Sequence, residues 1–162
     1  MRKNWKIIEE KEIKKSKEYL TDLKNSGYVT SPWIENIFLS KEYSNIKNKK
    51  FYLSRYFLSE IGFLGPTKLK DIYERFYELN LGLVYPILSL ILRLNYNEQS
   101  KGEWLRIAVP FDSMIDADGV PHLPKLGHAL NKFFIETYWS YPEAIFHPHN
   151  EFVVLEKEEE TK

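Results

Sequence analysis

The chain has 162 residues, the size of one ordinary domain, and its 43% hydrophobic and 15% aromatic content is that of a protein with a real core rather than a disordered one. It contains no cysteine, which excludes disulfides, thiolate catalysis and thiolate metal sites. A formal net charge of zero hides a gradient: residues 1–55 carry thirteen Lys/Arg against seven Asp/Glu, residues 56–100 four against five, and residues 101–162 six against eleven.

The first ten residues, Met1 to Glu10, have no apolar stretch, so no secretory signal is expected. Residues 9–24 are predicted to form a helix, with Ile13, Leu20 and Leu23 close to one stripe and Tyr19 at its edge. Its lysines alternate with Glu9, Glu10, Glu12, Glu18 and Asp22, the pattern of a solvated face rather than of a phosphate-binding one. Gly27 suits the left-handed position after its end. Ser31-Pro32 then supplies a capping hydroxyl and a first-turn proline for a second helix carrying Ile34, Ile37 and Phe38. From Ser40 to Leu64 the apolar positions suit one helical face, with a strand over 51–58 as the alternative because aromatic side chains are dense there. After Gly65-Pro66, Thr67 is placed to cap a helix to about Leu79, with Leu69, Ile72, Tyr73 and Phe76 inward.

Leu81–Leu92 is apolar but too short to cross a bilayer and is broken by Pro86, so it is expected in the core. Over 87–96 the leucines alternate with other residues, and after a polar loop 103–109 alternates again, which predicts an antiparallel hairpin. Leu126, Ala129, Leu130, Phe133, Phe134 and Thr137 recur at three and four, which predicts a helix over 126–138. A strand follows at 151–156, then a charged tail over 157–162 expected to be disordered. The fold class expected is therefore α+β. N-terminal helices would pack on one face of a small antiparallel sheet, built from the 87–96/103–109 hairpin and the 151–156 strand, in a single domain over 1–156.

All four histidines, His122, His128, His147 and His149, fall in the last quarter with Asp112, Asp116 and Asp118. Imidazole and carboxylate can bind a metal or move protons. The spacings argue against it. Asp116-Ala117-Asp118-Gly119 fits a calcium loop only if Met114 and Lys125 stand where carboxylates are required, so an Asp-Gly turn is the better reading. The imidazoles of His147-Pro148-His149 are expected to point apart in an extended segment. A Ser113, His122, Asp116 set is a relay on paper only, since sequence proximity says nothing of geometry. No Gly-rich phosphate loop, nucleophile elbow or paired-histidine zinc helix is present.

By elimination the leading expectation is a small cytoplasmic protein-interaction module, of the inhibitor or toxin-neutralising immunity type, acting by surface contact without catalysis or cofactor. Its surface would comprise Tyr138, Trp139, Tyr141, Glu143, Asp116 and Asp118, with the rings as anchors and the carboxylates steering a basic protein partner. Tyr138 and Trp139 closing the core behind Phe134 is the competing reading. The second reading is a metal-dependent hydrolase or nuclease using His122, His128, His147, His149, Asp112 and Asp116. The third rests on element order, which resembles that of winged-helix nucleic-acid binders. There the helix 67–79 would enter the groove, but its Lys68, Lys70 and Arg75 are offset by Asp71, Glu74 and Glu78, so nucleic acid is not expected.

Overall fold

A computed structural model describes residues 2–157; Met1 and residues 158–162, which hold most of the predicted tail, lie outside the described residues. In chain order the elements are β1 (Arg2–Glu9), α1 (Ser16–Asn25), β2 (Val29–Thr30), α2 (Pro32–Ser40), β3 (Lys50–Phe57), β4 (Thr67–Lys68), α3 (Leu69–Glu78), β5 (Leu81–Gly82), α4 (Ile87–Asn95), β6 (Trp104–Ile107), β7 (His122–Ala129), β8 (Lys132–Trp139), β9 (Ile145–Phe146) and β10 (Glu151–Glu156). The class is α+β. The sheet, however, is neither small nor purely antiparallel. Seven strands follow one another in the order β1-β3-β10-β6-β7-β8-β2, and β5 joins as an eighth at the edge of β10 beyond β6. The pairs β10–β6 and β2–β8 are parallel. A second, two-stranded sheet pairs β4 with β9.

Side-chain alternation assigns the two faces of the sheet. Leu105, Leu126 and Ile135 are in register across β6, β7 and β8 and are all buried on one face, which α1, α2 and α4 cover. Phe152 and Arg106, paired across β10 and β6, point to the other. There Phe152 meets Phe76 of α3 and Phe146 of β9. The helices therefore lie on both faces, which corrects the expected one-sided packing: α3 and the small sheet cover part of the second face. Among the described residues no helix is long and apolar enough to cross a membrane.

Local chemistry explains the parts that match the sequence. Ser31 Oγ accepts from Ile34 N at 3.3 Å and Pro32 opens the first turn of α2. Gly27, at φ +79°, follows α1 as expected. The start of α1 comes seven residues later than predicted. Residues 2–9 are drawn into β1, and the amide of Ser16 is met by Glu42 Oε1 at 3.1 Å from a distant loop. The ambiguous 51–58 segment is the strand β3, flanked by β1 and β10. Thr67 does not cap α3. It lies in β4, and the first amides of the helix, Leu69 and Lys70, donate instead to the carbonyls of Ala144 and Pro142 at 2.8 and 2.9 Å.

Two predicted elements are overturned. The 87–96 arm of the expected hairpin is the helix α4, and β6 pairs with β7 and β10 instead. Every residue from Ile87 to Arg93 is buried, so the alternation of leucines with Ser89 and Ile91 marked no exposed face, and period two lost its meaning. The predicted helix over 126–138 is the β7–β8 hairpin, turning at Leu130-Asn131 with φ of 52° and 60°. Two left-handed residues in a two-residue loop match the twist of the flanking strands. Leu126 opposes Ile135, whereas the successive Phe133 and Phe134 point to opposite faces. The spacing of three and four arose because the turn resets the phase of the pattern. Gly127 has a positional reason: the Trp104 ring lies across it, and a Cβ there would meet that ring at 2.2–2.4 Å.

Candidate functional site

Of the four histidines, only His122 meets one of the aspartates that accompany them. It stands at the start of β7, where the chain arrives from the turn Asp116–Gly119. In that turn Asp116 Oδ1 accepts from the amides of Asp118 (2.8 Å) and Val120 (3.0 Å), and Gly119 takes φ +80°. The remaining oxygen, Asp116 Oδ2, lies 2.8 Å from His122 Nε2, and His122 Nδ1 lies 3.0 Å from Thr137 Oγ1 across the hairpin. Both side chains of the His–Asp pair are 3% exposed. The tautomer protonated at Nε2 satisfies every contact, donating to Asp116 and accepting from the Thr137 hydroxyl. The hydrogen bond from His122, with those from the turn amides, holds the Asp116 carboxyl below its ordinary value. With both ring nitrogens and both oxygens engaged, this pair is a brace between the loop and the hairpin.

The imidazole also forms the floor of a surface cleft. Trp33, just inside α2, stacks on it with ring centroids 5.3 Å apart at 29°. Trp139 is its cross-strand partner in the hairpin register. Together with Thr137 and Tyr138 these residues line a hollow of about 220 Å³. Trp139 is 59% exposed and Trp33 45%, large values for rings that bury so much area elsewhere. Tyr141 is 45% exposed two residues further along the chain.

The other sequence-predicted residues are dispersed. Tyr138 borders the hollow beside Trp139, but it is half-buried and its ring packs against Phe146 at 5.2 Å, toward the opposite face of β8. His128 is on β7, not on a helix; its Nδ1 lies 2.7 Å from the Gln99 carbonyl and its ring packs on Phe133. His147 and His149 do not point apart: their rings stack at 5.8 Å and 13°, because Asn150 closes a turn back onto the His147 amide at 2.8 Å. Ser113 Oγ donates to the Pro110 carbonyl at 2.7 Å, away from His122. Asp112 and Asp118 are exposed. Glu143 sits between Lys68 (3.0 Å) and Lys70 (3.4 Å), and its hydrogen bond to Lys68 holds its carboxyl below the ordinary value. Among the described residues no group of three His, Cys, Asp or Glu is arranged to hold a metal ion.

Sequence reasoning passed over the most highly organised polar groups. Arg55 on β3 is fully buried, and its guanidinium is held by Glu151 from β10 at 2.6 and 2.7 Å, by Tyr96 Oη at 2.8 Å and by Glu103, while the Trp5 ring stacks on it at 4.8 Å. Burial works against its charge, but the hydrogen bonds from Glu151, Glu103 and Tyr96 outweigh that and raise its pKa above the ordinary value. Arg93, in the last turn of α4, is equally buried, with no carboxylate in contact among the described residues. It donates to Gln99 Oε1, to the carbonyls of Gly127 and Phe134, and to that of Tyr96 at 2.7–3.2 Å. Burial lowers its pKa to about 10, which leaves it charged at neutrality. These guanidinium groups clamp the sheet to α4. Only the isolated Arg93 within an apolar run was a visible signal.

Comparison with protein-family models, with curated proteins and with solved structures finds no match to this chain.

Proposed function

We propose that this chain is a protein-interaction module that engages its partner through the aromatic cleft formed by Trp33, His122 and Trp139, with Tyr141 alongside. The observation that carries the reading is the exposure of two indoles on either side of an imidazole that is itself locked in place. Rigid rings bury large area with few torsions to freeze, which is why tryptophan and tyrosine dominate the energetics of interfaces. The His122–Asp116–Thr137 brace supports the reading in a second way: it fixes the floor of the cleft before any partner arrives, which lowers the cost of association. Its groups are spent on one another, so the cleft offers a surface and no free general base. A dedicated inhibitor or immunity-type protein in the cytoplasm would work in this manner, by covering its target.

Of the acidic residues expected to steer a basic partner, Asp116 is internal and Glu143 is neutralised by lysines. Asp118 remains, exposed at the tip of its turn. The anchors therefore supply the affinity, and Asp118 contributes to encounter rate. Affinity capture from a lysate of the source cells, with the wild-type chain against Trp33→Ala, Trp139→Ala and the remote Tyr77→Ala, tests this. A stoichiometric protein held by wild type and Tyr77→Ala, and lost with either tryptophan, is the expected outcome. Trp139→Ala should leave the fold intact, with a stability change under about 1 kcal/mol. A loss of about 3 kcal/mol would assign the ring to the core. A partner held equally by all four chains would place the interface elsewhere.

A further inference from the structure

A cleft of about 530 Å³ is on the other face of the sheet from Trp33 and Trp139, toward the β1 edge. It is lined by Lys3, Asn4, Tyr52, Asn80, Glu156 and Lys157, and two neighbouring hollows of about 370 and 230 Å³ share Glu156 with it. Its volume is that of a small-molecule pocket.

Three features indicate a built site. The floor carboxylate is held in place: Ser54, fully buried on β3, donates to Glu156 Oε2 at 2.6 Å and accepts from the Asn4 amide at 2.8 Å. The backbone at both sides is left-handed, with φ 51° at Asn4, where the β1–β3 register shifts, and 58° at Asn80 after α3. These are two of the four non-glycine residues with positive φ among the described residues, and both turn up in one cleft. Finally, the polar groups are complementary in kind. Lys3, 3.7 Å from Glu156 Oε1, and Lys157 supply positive charge, while Glu156 and the exposed amides of Asn4 and Asn80 supply acceptors and donors.

We propose that this cleft binds a small phosphorylated polyol, a sugar phosphate, with its phosphate on Lys3 and Lys157 and its hydroxyls on Glu156, Asn4 and Asn80. A carboxylate at the floor is unfavourable for a bare anion but takes hydroxyl donors well, whereas ammonium groups at the rim favour phosphate as point charges. A ligand with both ends matches both halves of the site. Tyr52 provides a ring against which the apolar face of a sugar can lie.

The test is titration of the isotopically labelled full chain with ribose 5-phosphate, ribose and inorganic phosphate, followed by NMR at the backbone and asparagine side-chain amides. The full chain is used because Glu158, Glu159 and Glu160 follow Lys157 in the sequence, so any competition from them enters the measured affinity. Ribose 5-phosphate should give saturable shifts at Asn4, Asn80 and Glu156, with an affinity at least about tenfold above that of ribose or phosphate. Asn4→Gly and Asn80→Gly keep a backbone that accepts positive φ and remove only the amide. Each should weaken binding about tenfold, the worth of one good hydrogen bond, with melting temperature held. Lys3→Ala should weaken binding and flatten its salt dependence. Absence of saturable shifts up to about 10 mM would overturn the proposal. Affinity for phosphate alone equal to that for ribose 5-phosphate would also overturn it, as would binding indifferent to both glycine variants.

Discussion

Asp116 is the residue on which the aromatic cleft depends, since it joins the turn after Ile115 to the ring beneath Trp33. Its pKa is lowered in the folded state, so it contributes stability that is present above the unfolded value, about 3.9, and is lost as pH falls through the folded value. Asp116→Asn should melt lower than wild type at neutral pH, and the gap should close as pH falls below about 4. Melting curves from pH 2 to 7 check this; a gap constant with pH would mean that the carboxylate charge adds nothing. A larger effect is expected at Arg55. Glu151→Gln removes one charge of a buried pair and should cost about 3–5 kcal/mol, measured by denaturant unfolding. Neither arrangement was legible in the sequence. His122 and Asp116 were recognisable as residue types, and the Asp-Gly turn by its local chemistry. The stacking of Trp33 on His122 and the pairing of Arg55 with Glu151 join residues far apart in the chain, and no spacing rule reaches that far.

At the scale of elements, the hairpin turn carries a testable conflict. Leu130 is 85% exposed and left-handed at φ 52°, so it buries almost nothing while its Cβ crowds the backbone. Leu130→Asn replaces it with a residue that tolerates this conformation and should stabilise the protein by about 1 kcal/mol, raising the melting temperature by about 2–4 °C. An unchanged or lower melting temperature would mean that the leucine makes contacts absent from the described fold. The same turn explains why the sequence misled. Its signal, an asparagine after an unsuited leucine, is faint, while the apolar residues on its two arms mimic helical spacing. The run Phe133-Phe134-Ile135-Glu136-Thr137-Tyr138-Trp139, rich in aromatic and β-branched residues, was the better guide to a strand. Segments with sharp local chemistry, such as Ser31-Pro32 and Gly27, kept their assignments. In the buried helix α4 the surroundings, which the sequence does not display, decided the outcome.

At the scale of the molecule, a mixed sheet with helices on both faces separates two surfaces. One carries the tryptophan cleft over His122; the other carries the polar cleft over Glu156. The sheet order brings β10, last in the chain, between β3 and β6, so Glu151 and Glu156 reach opposite faces of the same strand, one to Arg55 and one to the polar cleft. The succession of helical and strand patterns foretold the α+β class, but not this order, because long-range pairing leaves no local mark. Trp33 and Trp139 are the proposed contact surface for a partner, and hydroxyl-radical footprinting of the chain, free and in its captured complex, reads that surface residue by residue. Oxidation of Trp33, Trp139 and Tyr141 should fall severalfold in the complex while that of the distant, exposed Tyr77 stays unchanged; equal oxidation of the two tryptophans in both states, with protection at Tyr77 or elsewhere, would contradict it.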